Sequence, residues 1–373
     1  MVFSGVVILL LILIGIVENA FHQKRLKEIP VRILVNGTRG KTSICSLLTA
    51  VLNENGYRAV GRTTGSEARI LHHDGTSEPF IRRLPARITE MVPFIRLCSH
   101  EKADCVVVEC MALGAEYQKA FSRMLIKPTH VIISNSYVDH VAEIGSTKEE
   151  TIWTLANSIY PGCDGFFTES EYKPFCEERG SRFHLVAEKN YQEMNLDSRI
   201  PVHNSNVSLA VALCNLLGIS ESLVLQAIGK AIPDVGLQDS IMGRNGSLLI
   251  PSFSINDYHC MSQAIDDAKY NQALGKNLCV IFNNRSDREY RIILMKKILK
   301  AKGHLITCVY CIGDYPDKVM RFFKSSGVNA MSISVSDLYQ KFNSDSDETV
   351  FLGLGNIKGG GNALLEMCMG EKR

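Results

Sequence analysis

The chain opens with an unbroken apolar run, Val2 to Val17, reading VFSGVVILLLILIGIV without a charge. At ~1.5 Å per residue, a helix of this run falls a little short of a ~30 Å hydrocarbon core. Ala20 and Phe21 extend it past Glu18, a residue able to snorkel. The run has no polar face, which excludes an amphipathic core helix. No basic segment precedes it and no A-x-A site follows, so a retained anchor over 1–21 is expected rather than a cleaved signal peptide. His22, Lys24, Arg25 and Lys27 come directly after it, and the positive-inside rule then puts the rest of the chain in the cytosol.

From Val31 onward the pattern changes to short apolar runs separated by helical periodicity. Val31–Val35, Cys105–Val108, Val131–Ser134 and Gly165–Thr168 read as buried strands. Ser43–Asn55 and Asn206–Leu217 read as helices stopped by Gly56 and Gly218. Strands alternating with helices predict a parallel sheet. Pro233–Gly246 lacks periodicity and reads as a linker. A second α/β run follows, with strands expected at Ser247–Ser254, Leu278–Phe282, Leu305–Ile312, Met331–Val335 and Val350–Leu354. The expected organisation is an anchor over 1–21, a basic juxtamembrane linker over 22–30, and domains over 31–235 and 236–373.

Composition adds exclusions. Hydrophobic residues are 46% and charged residues 21% of 373, a globular balance that rules out a disordered, fibrous or multi-span chain. Forty-one basic against 39 acidic side chains leave a net charge of +2, so no nucleic-acid partner is expected. The 12 cysteines are scattered through apolar runs, as buried thiols of a reducing compartment would be. Cys308 and Cys311 form a C-x-x-C without a second ligand pair, which argues against zinc.

The chemistry concentrates after the first strand, in Asn36-Gly37-Thr38-Arg39-Gly40-Lys41-Thr42-Ser43. Glycines there let backbone N–H groups turn towards phosphate oxygens, and the following helix adds the positive end of its dipole. Lys41 is the candidate contact to the β- and γ-phosphates and Thr42 the candidate Mg²⁺ ligand. The strict G-x-x-x-x-G-K-[ST] pattern is not met, because Val35 occupies its first glycine position. Glu109 directly follows an apolar strand, where a carboxylate is better suited to a metal than to stability. Asp139-His140 follows the next strand as a candidate ligand pair.

Taken together these motifs resemble the Mur ligase superfamily of ATP-dependent amide ligases, which includes folylpolyglutamate synthase. The resemblance is closer to the membrane-anchored ligase subunit of poly-γ-glutamate synthase, the PgsB/CapB type. It rests on NGTRGKTS, VGRTTGSEAR (Val60 to Arg69), VVECMA (Val107 to Ala112), Asp139-His140, NDY (Asn256 to Tyr258), FNNRSDR (Phe282 to Arg288) and GLGNIKGGG (Gly353 to Gly361). It implies a P-loop central domain followed by a Rossmann-like C-terminal domain, preceded by one transmembrane helix. It also implies ATP and Mg²⁺ as cofactors. Gly37, Thr38, Arg39, Gly40, Lys41, Thr42 and Ser43 would hold the phosphates, with Asn206 on the adenine and Asp257 closing over the nucleotide. Glu109 would hold the first Mg²⁺ and His140 a second. Arg62, Arg69, Arg285 and Arg288 would meet substrate carboxylates. Lys41, Glu109 and His140 form the expected catalytic set.

The implied reaction activates a carboxylate as an acyl phosphate and joins it to an amino-acid amine, with glutamate or poly-γ-glutamate as substrate. Expected partners are small membrane subunits of a polymer synthase and export complex, and a homo-oligomer is compatible with the pattern. Two departures stand out. Residues 22–30 leave no room for a UDP-sugar domain between anchor and first strand. The carbamylated lysine of many relatives is also missing, since that region reads Thr154-Leu155-Ala156 and Lys148 is out of register. A folate- or peptide-type ligase and an ATP-hydrolysing scaffold subunit are the competing readings.

Overall fold

The apolar run begins a single helix, α1 (Val2–Glu28), which is long and apolar enough to cross a membrane. In this computed structural model all residues are described except 1, 66–67, 83–85, 139–142, 192–202, 233–239, 256–257, 274, 345–348 and 371–373. Side chains from Val6 to Phe21 stay exposed, whereas His22, Leu26 and Ile29 are buried. Residues 22–28 are therefore helix continuous with the apolar run, where the sequence suggested a linker. Leu26 and Ile29 enter the same core as Ile95 and Cys98. His22 Nε2 lies 2.9 Å from the Leu125 carbonyl and Gln23 Nε2 donates to the Met124 carbonyl at 3.1 Å. Arg32 caps the helix end, donating to the carbonyls of Leu26 (3.2 Å) and Ile29 (2.5 Å).

The chain divides into two units, Met1–Pro233 and Asp234–Arg373. After α1, the first unit runs β1 (Val31–Asn36), α2 (Lys41–Glu54), β2 (Ala59–Thr63), β3 (Arg69–Leu71), β4 (Ser77–Pro79), α3 (Met91–His100), β5 (Cys105–Glu109), α4 (Ala115–Ala120), β6 (His130–Ile133) and α5 (Lys148–Ala156). It continues with β7 (Asp164–Phe167), α6 (Lys173–Glu178), β8 (Arg182–Leu185), α7 (Asn204–Leu216) and α8 (Glu221–Ala227). The sheet order is β4-β3-β2-β5-β1-β6-β7-β8, parallel except for the antiparallel β2-β3-β4 extension. Each central strand is buried on both faces. Leu34, Val106 and Val108 pack on one side and Ile33, Val35, Cys105 and Val107 on the other, as a period of two requires.

The second unit contains β9 (Ile241–Met242), β10 (Leu248–Pro251), α9 (Tyr258–Asp267), β11 (Asn277–Asn284), α10 (Tyr290–Lys302), β12 (Cys308–Gly313), α11 (Pro316–Lys324), β13 (Ala330–Ser332), α12 (Val335–Ser344), β14 (Thr349–Gly355) and α13 (Gly360–Gly370). Its sheet order is β13-β12-β11-β14-β10-β9, with only β9 antiparallel among the described strands. Part of the expected linker is thus an edge strand: Ile241 and Met242 pair with Leu249 and Leu248. Every cysteine whose side chain is described is buried and stands outside any disulfide. Cys308 and Cys311 belong to opposite faces of β12, in separate cores, so the C-x-x-C does not converge on one ion.

Candidate active site

Strand β1 is central in its sheet, with β5 on one side and β6 on the other. The chain order reverses across it, which opens a crevice beyond the C-terminal strand ends. The phosphate loop leaves β1 into this crevice. Gly37 has φ +122°, and a Cβ there would fall 2.2 Å from Ser134 Oγ and 2.9 Å from its backbone nitrogen. Gly40 has φ +80°, and a Cβ there would fall 2.5 Å from Asn206 Oδ1. Both positions need glycine for conformation and for room. The second contact brings Asn206, expected on the adenine and buried near the start of α7, against the phosphate loop.

Asn135 holds the loop's shape. Its Oδ1 accepts from Thr38 Oγ1 at 2.7 Å and from the Arg39 N–H at 3.0 Å, while its Nδ2 donates to the Arg39 carbonyl at 3.2 Å. Beneath the loop, buried Asn36 donates to Gln118 Oε1 (2.7 Å) and Ser158 Oγ (2.9 Å). Asn135 directly follows the expected strand Val131–Ser134, and neither it nor Gln118 nor Ser158 is among the residues that the sequence singles out. A polar residue directly after a buried strand, beside a phosphate loop, was the available signal for Asn135. Gln118 and Ser158 lie too far along the chain from Asn36 to be read.

Lys41 curls over its own loop, with Nζ 2.7 Å from the Gly37 carbonyl and 3.4 Å from that of Thr38. Thr42 Oγ1 donates to Glu109 Oε2 at 3.0 Å, and the Thr64 N–H donates to the same oxygen at 2.6 Å. The parallel register that sets Val35 beside Glu109 creates this meeting. Glu109 is 4% exposed. Burial raises its pKa above the ordinary value, opposed by the Lys41 charge and by the Thr64 and Thr42 hydrogen bonds. A hydroxyl and a carboxylate side by side are hard oxygen donors, and they fit Mg²⁺ as donor chemistry. Ser43 is buried in the first turn of α2. A cavity of about 420 Å³, lined in part by Asn135, Tyr137, Glu169 and Ser205, opens beside the loop.

His140, with Asp139, and Asp257 lie outside the described residues. Lys148, out of register for a carbamylated ligand, pairs with Glu169 and Glu171, each at 3.2 Å. Arg62 departs from its expected role as a substrate contact. Its side chain is fully buried, paired with Glu90 and stacked 4.2 Å from the Phe80 ring centroid, and burial lowers its pKa to about 10. That makes it an internal cation beside β2, because its guanidinium is enclosed by protein. Arg69 donates from Nη2 to Ser77 Oγ at 2.8 Å, across the β3–β4 pair. In the second unit, Arg285 Nη2 lies 2.7 Å from Asp287 and Arg288 Nε 3.9 Å from the same carboxylate. The two arginines therefore converge on one acidic loop residue.

Residues 239–371 match the family model of the poly-gamma-glutamate synthase CapB C-terminal domain. The capsule biosynthesis protein CapB of Bacillus anthracis is 28% identical over 396 residues, covering 99% of this chain and 82% of that protein. PGA synthase CapB of Bacillus subtilis (strain 168) is 27% identical over 375 residues, covering 95% and 94%. Among solved structures, the Yersinia pestis bifunctional folylpolyglutamate synthase/dihydrofolate synthase, complexed with AMPPNP and Mn ion, superposes with TM-score 0.72 at 17% identity, covering 94% of this chain and 92% of that one. MurF of Acinetobacter baumannii superposes with TM-score 0.65 at 13% identity, covering 95% and 78%. At these identities the structural likeness is one of fold.

Proposed function

We propose, from the chain's similarity to CapB-type poly-γ-glutamate synthases and its Mur-ligase-like fold, that it is an ATP-dependent amide ligase adding glutamate to a γ-carboxylate. The contact between Thr42 and Glu109 at the foot of the phosphate loop carries this reading. Loop amides and Lys41 would bind the β- and γ-phosphates. The 420 Å³ cavity, lined in part by Asn135 and by Ser205, the residue before Asn206, has room for the adenine. Thr42 and Glu109 would hold Mg²⁺, which neutralises phosphate charge when bound.

The chemistry these residues serve has two steps. A substrate carboxylate oxygen attacks the γ-phosphorus, the bond to the β-phosphate oxygen breaks, and ADP leaves. The neutral amine of glutamate then attacks the acyl carbon, inorganic phosphate leaves, and the amine proton passes to solvent. Two anions meet in the first step, so the chain's own contribution is positioning and charge neutralisation. Lys41 supplies a cation 2.7 Å from the Gly37 carbonyl, within the turn that would cradle the phosphates. His140 and Asp257 remain proposed ligands of a second metal and of the nucleotide, and Arg285 and Arg288 proposed contacts of a substrate carboxylate. The α1 helix would anchor the catalytic units at the cytoplasmic membrane face, next to small membrane subunits that export the polyanion.

The test is isotopic. Glutamate chains carrying ¹⁸O in their carboxylates should transfer label into the phosphate released with ADP, and Lys41→Ala should stop that transfer with the fold kept. AMP as the product would remove the assignment. ADP without label transfer would favour an ATP-hydrolysing scaffold.

A further inference from the structure

The π-helical turn Phe121–Ile126 that receives α1 also borders a basic cavity of the first unit. This cavity, of about 470 Å³, is lined by Lys119, Arg123 and Arg179 with Trp153, Phe175 and a single carboxylate, Glu178. Lys119 and Arg123 are exposed, and neither makes an ion pair or side-chain hydrogen bond among the described residues. Arg179 is fixed from behind: it donates to the Ala156 carbonyl and its guanidinium sits 5.9 Å from the Phe175 ring centroid. Burial holds the Arg179 pKa below its ordinary value; Glu178 opposes this and Arg123 adds to it. Three cations around one carboxylate leave a positive hollow, and a rigid one on the Arg179 side.

Its position selects the ligand. Arg123 is the neighbour of Met124, whose carbonyl accepts from Gln23, and Gln23 lies just past Phe21, the last exposed apolar side chain of α1. Met124 is 62% and Trp153 57% exposed, apolar surface beside the foot of the span rather than in the core. Tryptophan next to basic side chains at such a level is the composition of a membrane interface, where basic pockets take lipid headgroups.

We propose that this cavity binds the phosphate of an anionic phospholipid headgroup, with Lys119, Arg123 and Arg179 as its cationic wall and Trp153 at the acyl boundary. The proposal rests on the reading that α1 spans the bilayer. It gives the Phe121–Ile126 turn a function beyond packing: it joins the span to a lipid seat and so sets the catalytic unit's tilt on the membrane.

Trp153 is the chain's single tryptophan, so its fluorescence reports the site directly. The full chain is reconstituted into phosphatidylcholine discs and titrated with acyl-brominated phosphatidylglycerol or acyl-brominated phosphatidylcholine. The expected result is quenching at a several-fold lower mole fraction of the phosphatidylglycerol. Lys119→Gln with Arg123→Gln should erase that several-fold preference, with the circular dichroism spectrum unchanged. Equal quenching by both lipids, or a preference that survives the double variant, would overturn the proposal. So would a Trp153 response to soluble poly-γ-glutamate or inorganic phosphate in phosphatidylcholine discs that phosphatidylglycerol fails to produce, since the pocket would then serve the polymer or the free anion. Failure of the chain to co-migrate with discs of either composition would instead reject the membrane span. Co-migration without lipid preference would reject the pocket alone.

Discussion

Replacing Glu109 with Gln should make the protein more stable and nearly inactive at once. The side chain is 4% exposed and accepts from Thr42 at 3.0 Å and Thr64 at 2.6 Å. Glutamine has the same shape: its amide oxygen, placed where Glu109 Oε2 lies, can accept from both the Thr64 N–H and Thr42 Oγ1. What disappears is a buried charge whose pKa is raised mainly by desolvation. For a raised carboxyl the folded state holds its proton more tightly than the unfolded chain. Its stabilising effect is full below the unfolded value and is lost as pH rises through the folded value. Wild type and Glu109→Gln should therefore melt alike near pH 4, and the variant should melt higher at neutral pH. Each ~1 kcal/mol of relieved penalty reads as ~2–4 °C in a unit of this size. Catalysis moves the other way, because losing one charge-stabilising group costs ~3–4 kcal/mol, or roughly 10²–10³ in rate. Scanning calorimetry from pH 4 to 8, with and without Mg²⁺ and ATP, together with ADP release, measures both. Nucleotide at ~100 times its Kd stabilises wild type by ~2.7 kcal/mol, and the variant should lose most of that. A variant that melts lower at neutral pH, or turns over within tenfold of wild type, would refute the reasoning.

Three further outcomes follow from the geometry. Gly40→Ala should weaken nucleotide binding while the isolated fold survives, because the new Cβ would meet Asn206 Oδ1 at 2.5 Å; titration with a fluorescent ATP analogue checks it. Arg62→Met should cost roughly 1–3 kcal/mol, since Glu90 loses its buried partner but keeps Arg82 at 3.1 Å; this is seen as a lower urea midpoint, with any lost activity tracking unfolding rather than KM. Deleting residues 1–20 should leave the melting temperature unchanged, whereas deleting 1–29 should lower stability by roughly 3–6 kcal/mol, since Leu26 and Ile29 are 2% and 0% exposed.

Local chemistry was legible in the chain because each signal is short-range. The phosphate loop needs glycines, a lysine and a threonine in consecutive positions, and Glu109 announces itself as a charge at the end of a four-residue apolar run. The long apolar strands were likewise visible, since burial on both faces leaves no polar alternation to hide them. The three-residue strands β3 and β4 and the two-residue β9 left no such run. The sequence could not tell which arginine faces a ligand: Arg62 flanks the same Thr-Thr-Gly as Arg69, yet a partner 28 positions away, Glu90, turns it into the core. Nor could it show that the apolar run and the basic stretch after it form one helix, because the contacts that hold that helix come from Leu125 and Met124, about a hundred residues on. Spacing along the chain determined what chemistry was present. Register between strands and packing between distant segments decided which of those groups meet, and so joined Thr42 to Glu109 and gathered Lys119, Arg123 and Arg179 around one cavity at the foot of α1.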